Sequence, residues 1–440
     1  MPLRNLLVLF LAAILALLCH VKADRNRYAS TVSEAMDLIT YHYLEDVDYR
    51  QLYESAMRGM AEGLDPYSSY VGPAEYQRLK EELDQEFGGI GILLEFHQET
   101  RRIVVMSPLF DTPAARAGVR AGDIILAIEG QDTATMSFRD AVELIRGLPG
   151  EVVRLKVLHV GDEKPVDLEI ERAVIPIESV LGDARRADGG WDFQLQSDPR
   201  ITYVRVINFG ENTAEELEKT LQGRQPQALI LDLRDNAGGL LEAAVRTCNM
   251  FLGDGTIVTI RGRDGEVRRT YEADGHPLLP ADVPIAVLVN RYSASASEIV
   301  AACLQDCGRA KIVGQRTWGK GTVQNVIPLE AGHAALKLTT ASYWRPSGKN
   351  IHRLKDAAED AEWGVRPDAG MEVELTDEQA DQIRQARRQK DVGAESQQAS
   401  GKPAAPQETP PPSPDDLQLK KAVEYVRLQL DETGTRAKGA

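Results

Sequence analysis

The 440-residue sequence is poor in the residues that mark several large functional classes. Cysteine occurs only at Cys19, Cys248, Cys303 and Cys307, too sparsely for a disulfide scaffold. Cys303 and Cys307 stand four apart on an expected helix, a spacing that suits packing on one face better than a bridge. No CxxC or HExxH spacing occurs, so no metal or other cofactor is read from the chain. No Lys/Arg cluster stands out and the net charge is −16, which argues against nucleic acid as a partner, because displacing counterions from phosphates needs a basic face. Histidine is scarce: His20, His42, His97, His159, His276, His333 and His352 all lie outside any recognisable triad motif, against a Ser-His-Asp centre. No carboxylate pair stands out, although residue counts alone leave a paired-carboxylate hydrolase open, and no nucleotide-binding glycine pattern follows a first strand.

What is present divides along the chain. Arg4 precedes an apolar run, Leu6 to Leu18, that is short for a membrane span of ~20 residues and about the length of a signal-peptide core. Residues 1–23 are therefore expected to be a leader cut after Ala23, with retention as an anchor the alternative; Leu18 is too bulky before Cys19 for a lipoprotein signal. Export follows, to the periplasm or another extracytoplasmic, membrane-associated place. Residues 24–75 carry apolar residues at helical spacing (Val32, Ala35, Met36, Leu38, Ile39), and a second such run stops at Gly63 before Asp65-Pro66. Residues 76–172 alternate short apolar strands with glycine turns. They open with Phe87-Gly88-Gly89-Ile90-Gly91-Ile92 and carry Ala117-Gly118-Val119-x-x-Gly122-Asp123-x-Ile125. Residues 173–380 alternate buried strands with helices, the pattern of a layered α/β core. Residues 381–415 turn Gln/Lys/Glu-rich and then proline-rich, and read as a disordered linker. Residues 416–440 hold a short amphipathic helix and tail, which could dock on the body or another subunit, or stay partly ordered.

One stretch organises the chemistry. A buried strand ends at Asn290 and runs through Ser293-Ala294-Ser295-Ala296-Ser297-Glu298 into a helix, a geometry that presents a hydroxyl at the top of a sheet. Ser295-x-x-Glu298 is also a capping box, so Ser295 could do no more than start the helix. A second buried strand ends at Asp235-Asn236-Ala237-Gly238-Gly239, where glycines free N–H groups for an oxyanion hole or simply make a turn. Lys320 stands between Gly319 and Gly321, as a surface charge or as a buried amine whose neutral form could act as a base. On a straight strand, Lys320 and Gln324 would share a face roughly 13 Å apart, so direct contact requires a bend, which Gly321 permits.

Residues 76–172 resemble a PDZ domain, a β-sandwich-like unit with two helices, and Gly89, Ile90, Gly91 and Ile92 resemble its carboxylate-binding loop. The Ser-Ala-Ser-Ala-Ser-Glu and Gly-Lys-Gly-Thr-Val-Gln motifs, with Leu231-Asp232-Leu233-Arg234-Asp235-Asn236-Ala237-Gly238-Gly239 upstream, resemble those of the carboxyl-terminal processing, or tail-specific, proteases. That resemblance covers residues 24 to about 375 and implies an α/β multidomain fold: helical lead-in, PDZ domain, protease core. It implies Ser295 as nucleophile, Lys320 as base and Gln324 as the group orienting the lysine, with oxyanion donors at Ala296 and one of Gly238 and Gly239. It also implies protein substrates with exposed C-terminal tails and leaves room for an adaptor protein and a homo-oligomer. Arg146, at the end of the second PDZ helix, is the expected contact to the core through which tail binding gates the site. The competing reading is a non-catalytic PDZ scaffold on a protease-like core.

Overall fold

The computed structural model describes residues 27–97, 100–186, 188–358, 360–392 and 415–439, together with 5 and 10–14. Most of the expected leader and positions 393–414 of the expected linker lie outside the described residues. Among the described residues no helix is long and apolar enough to cross a membrane. The chain divides into two compact units, residues 1–77 with 324–339, and residues 78–323 with 340–440.

The first unit contains the helices Arg27–His42 and Tyr49–Glu62. The second helix starts where the Asp48 carboxylate accepts the N–H groups of Arg50 and Gln51, an N-cap. Asp65 then accepts from the N–H groups of Tyr67 and Ser68, and the strand Ser69–Val71 follows. It pairs antiparallel with Ala335–Lys337.

A helix, Pro73–Asp84, begins in the first unit and ends in the second, and runs through position 76, where the PDZ-like segment was expected to begin. Proline in its first turn has no N–H to lose there. The short strands Glu86–Gly89 and Ala173–Pro176 then pair antiparallel, tying entry to exit. Between them five strands pair in chain order, Ile92–His97, Arg102–Pro108, Ile124–Ile128, Val152–Leu158 and Val166–Glu171, which leaves Ile92–His97 at one edge. The helices Pro113–Arg116 and Phe138–Ile145 place Ala114, Ala141 and Ile145 on a core of Ile103, Val105, Ile125, Val153, Leu155 and Val157.

The remainder is a three-layer α/β body. Its sheet runs β1 (Val180–Leu181), β2 (Asp198–Val206), β3 (Ala228–Asp232), β4 (Ile285–Val289) and β5 (Lys311–Gly314). The strands β2 to β5 are mutually parallel, β1 is antiparallel, and Gln194–Leu195 also pairs with β2. Parallel strands covered on both faces need apolar residues at successive positions, which is why β3 and β4 read as continuous apolar runs. Leu229, Leu231, Val287 and Val289 face the helices α1 (Thr213–Gln222), α2 (Leu241–Asn249) and α3 (Ala296–Asp306). Ala228, Ile230, Ala286 and Leu288 face the opposite way. Cys248 and Cys303 are unbridged and buried in the first of these layers, and Cys307 is unbridged and exposed.

The second face corrects the reading of residues 381–415 as wholly disordered. A helix, α4 (Asp377–Val392), occupies the start of that stretch. Its origin is a reciprocal capping box: Gln379 N–H donates to Thr376 Oγ1 and Thr376 N–H donates to Gln379 Oε1. The helix is strongly polar, which concealed it, and its Ile383 is buried. The last helix, α5 (Leu417–Gly439), docks on the chain's own sheet. There Ala422, Val423 and Val426 bury against Ile201, Ile230, Leu288 and Val313. Complete burial of a valine side chain stabilises by about 1.5–3 kcal/mol.

Candidate active site

Parallel strands deliver their loops to one edge of the sheet, and in open α/β sheets ligands bind outside those carboxyl ends. The loops after β3, β4 and β5 carry the Asp235–Gly239 motif, the serine turn and Lys320 respectively.

Side-chain hydrogen bonds sort the three serines. Ser293 is fully buried and its Oγ donates to Leu233 O at 2.8 Å. Ser297 is fully buried and its Oγ donates to Asn236 O at 2.9 Å. Both hydroxyls therefore staple the serine turn to the loop after β3, helped by Ala294 N–H donating to Asn236 O. Ser295 is only half-buried, and its Oγ lies 2.8 Å from the Tyr343 hydroxyl. Its backbone sits at φ 58°, ψ −115°, a sparsely populated region for a residue with a Cβ. Such strain persists only where surrounding contacts dictate it, and here they come from Glu298.

Glu298 is fully buried. Its Oε2 accepts Ser295 N–H at 2.9 Å and Lys320 N–H at 2.8 Å. Its Oε1 accepts the Thr317 hydroxyl at 2.6 Å and Gly319 N–H at 2.7 Å. One carboxylate thus joins the serine turn to the lysine loop. Burial pushes this carboxyl above the usual carboxylate range, against the opposing pull of Thr317, Gly319, Lys320 and Ser295. The sequence pattern reached only the capping half of this role, because the other three donors lie some twenty residues onward.

Lys320 is half-buried and precedes the strand Thr322–Leu329 instead of standing on it, so straight-strand spacing to Gln324 does not apply. Gly321 is required beside it: a Cβ there would lie 2.3 Å from His352 N. In the first unit, Gln324 Nε2 donates to Thr339 Oγ1 at 3.3 Å, and the Thr339 hydroxyl donates to Asp65 at 3.1 Å.

The glycine pair lies against the serine turn. A Cβ on Gly238, whose φ is +103°, would stand 2.7 Å from the Cβ of Ser295. Gly238 N–H donates to Asn236 Oδ1 at 2.8 Å. Among the described residues, the N–H groups of Gly239 and Ala296 meet no protein acceptor. At the base of this loop Arg234 is almost fully buried and pairs with Asp232 at 2.7 Å and with Asp416, just before α5, at 2.8 Å, and it donates to Gln418 Oε1 of α5 at 3.1 Å. Arg387 of α4 reaches Asp232 at 2.9 Å, so both C-terminal helices brace the loop.

The remaining candidates lie in the PDZ-like part. Gly91 adopts φ +75°, its carbonyl accepts Leu109 N–H, and the carbonyl of Ile90 accepts Ala114 N–H. Gly89 pairs with Ala173 and Ile92 with Pro108. The Ile90 side chain is fully buried in the core of this unit, so only its backbone is available to a ligand. Arg146 pairs with Glu81 of the helix Pro73–Asp84 at 2.8 Å and lies over the Phe87 ring; these contacts are not with the three-layer body. Among the described residues no group of three or more His, Cys, Asp or Glu is arranged to hold a metal ion.

Comparison with known proteins agrees with this architecture. Residues 200–370 match the model for peptidase family S41, residues 104–158 that for a PDZ domain, and residues 19–73 that for the activating protease CtpB N-terminal domain. The carboxy-terminal-processing protease of Bartonella bacilliformis is 37% identical over 80% of this chain and 77% of its own length. The carboxy-terminal processing protease CtpB of Bacillus subtilis is 32% identical over 75% of this chain and 67% of its own. The carboxyl-terminal-processing protease of a Synechocystis species is 34% identical over 73% of this chain and 71% of its own. With that coverage, and an α/β body carrying a PDZ domain, the chain belongs to the carboxy-terminal processing proteases of peptidase family S41 and is a serine-type peptidase.

Proposed function

We propose that this chain is an exported endopeptidase that cleaves proteins near their C-terminal tails with Ser295 as nucleophile, Lys320 as base and Gln324 as the residue that orients the lysine. The observation that carries the reading is the Glu298 clamp, which ties the N–H of Ser295, the half-buried serine of the turn, and the N–H of Lys320 to the same carboxylate oxygen. A neutral Lys320 amine removes the Ser295 hydroxyl proton as Oγ attacks the scissile carbonyl. The tetrahedral oxyanion is met by N–H groups from Ala296 and the Gly238–Gly239 pair; the unpaired N–H groups of Ala296 and Gly239 favour those two as donors. Lys320 then protonates the departing amine, and a water deacylates Ser295 by the same proton route in reverse.

The PDZ part, bounded near residues 76 and 172, holds the substrate tail. An extended peptide would add to the edge strand Ile92–His97 with its terminal carboxylate at the Gly89–Ile92 loop, using backbone groups there. Tail binding would gate the site through Arg146, whose exchange away from Glu81 is the step to be tested. The apolar N-terminal run supports export to the periplasm or an equivalent compartment, with adaptor proteins and self-association as compatible partners.

The test is digestion of an unfolded exported protein by wild type, Ser295→Ala and Lys320→Ala, with fragments read by mass spectrometry. Wild type alone should release C-terminal fragments. Equal digestion by all three would overturn the assignment and leave a peptide-binding scaffold.

A further inference from the structure

We propose that Tyr343 is a catalytic residue, its hydroxyl donating a hydrogen bond to Ser295 Oγ throughout acyl transfer. The inference rests on the reading of Ser295 as nucleophile. The two oxygens are 2.8 Å apart, and Tyr343 is 3% exposed, so the phenol is shielded from bulk water. The ring is held at a fixed position. Tyr343 lies in the strand Ala334–Trp344, opposite Ile260 of the strand Thr256–Arg261. Its N–H donates to Gly321 O at 3.0 Å, the carbonyl next to Lys320. One residue therefore touches the nucleophile through its side chain and the lysine loop through its backbone.

The direction of the bond follows from chemistry. A phenol is a stronger acid than an aliphatic alcohol, so in a phenol–alcohol pair the phenol is the better donor. Tyr343 as donor leaves the Ser295 hydroxyl proton available to Lys320. As that proton moves to the Lys320 amine, negative charge builds on Oγ ahead of the completed Oγ–carbon bond, which then passes the charge to the carbonyl oxygen; the Tyr343 bond strengthens while Oγ carries the charge, the condition for transition-state stabilisation. In deacylation the Oγ–carbon bond breaks, the departing Oγ again gains charge, and it takes its proton back from the Lys320 ammonium. Tyr343 keeps its own proton at every stage, so the proton count closes on Lys320, the amine and water.

The readout is the second-order rate of labelling by a fluorophosphonate, which reports Oγ nucleophilicity without peptide binding, together with kcat and KM on a peptide. Tyr343→Phe is expected to lower the labelling rate and kcat together by about 10- to 100-fold with KM and the unfolding midpoint unchanged, the size of one hydrogen bond to a developing charge. Labelling within about twofold of wild type would overturn the proposal, and faster labelling would show a latch that restrains Oγ. Should the phenylalanine variant unfold, difluorotyrosine at position 343 keeps the ring and acidifies the phenol. Labelling should then fall with rising pH earlier than in wild type, and an unmoved profile overturns the proposal. Ser295→Ala run in parallel separates the two claims: if it abolishes labelling while Tyr343→Phe does not, only the role of Tyr343 fails.

Discussion

Replacing Glu298 with glutamine tests whether this carboxylate does more than start a helix. The side chain keeps its size, but one acceptor oxygen becomes an NH₂ group. All four contacts of Glu298 are donors: Ser295 N–H and Lys320 N–H on one oxygen, the Thr317 hydroxyl and Gly319 N–H on the other. Whichever way the amide turns, one of these pairs faces NH₂ and loses its acceptor. Each buried donor left unsatisfied costs about 1–3 kcal/mol, so the expected loss is about 2–6 kcal/mol. A residue that only caps α3 would cost about 0.5–2 kcal/mol on removal. Urea unfolding of wild type and Glu298→Gln measures this difference, and steady-state cleavage of a quenched peptide, at a temperature where both are folded, measures its consequence. The loosened link between the Ser295 turn and the Lys320 loop should lower kcat by about 10- to 100-fold, as small misplacements of reacting groups do. A stability loss under about 1 kcal/mol with wild-type kcat would refute the clamp and leave Glu298 as a cap.

Two further outcomes follow from the geometry. Gly238→Ala would drive a Cβ to 2.7 Å from both the Ser295 Cβ and the Ala294 carbonyl, at a backbone φ that favours glycine. The variant should stay folded by circular dichroism and lose about 10²-fold or more in kcat, the scale of one disabled oxyanion donor. Asp198, which accepts from Arg200 and from Arg427 of α5, is held below the usual carboxylate range by Arg200 first and by Arg427 after it, against the opposing effect of burial. A carboxyl depressed in the folded state stabilises above its unfolded value of ~3.9 and loses that contribution as pH falls toward its folded value. Urea titrations between pH 6 and pH 3 should therefore show wild type losing stability more steeply than Asp198→Asn, about in the range where carboxylates titrate.

Much of this fold was legible because local rules and burial agree. The buried strands expected to end at Asn290 and at the Asp235–Gly239 motif are Ile285–Val289 and Ala228–Asp232 in the structure. The second helix of the PDZ-like part, expected to end at Arg146, is Phe138–Ile145. The helix at Asp377–Val392 was lost to its polarity, although the Thr376-x-x-Gln379 box that starts it stands in the sequence. Lys320 was legible as a residue and not as a position, because the loop it occupies is shaped by packing against His352 and by Glu298. Tyr343 carried no local signal: it comes within 2.8 Å of Ser295 only because strands far apart in sequence are brought together. The wider role of Glu298 was hidden for the same reason. A capping box is a four-residue pattern, whereas the bonds to Thr317, Gly319 and Lys320 depend on how the loops after β4 and β5 meet.

The central claim, that Lys320 activates Ser295, is tested most directly by mapping a fluorophosphonate adduct on the full chain by peptide mass spectrometry. A single adduct on Ser295 is expected in wild type, none in Lys320→Ala at neutral pH, and none in Ser295→Ala, with Ser293 and Ser297 unlabelled in all three because both hydroxyls are buried and bonded to backbone carbonyls. An adduct on another serine, or labelling of Ser295 that proceeds at the wild-type rate in Lys320→Ala, would contradict it.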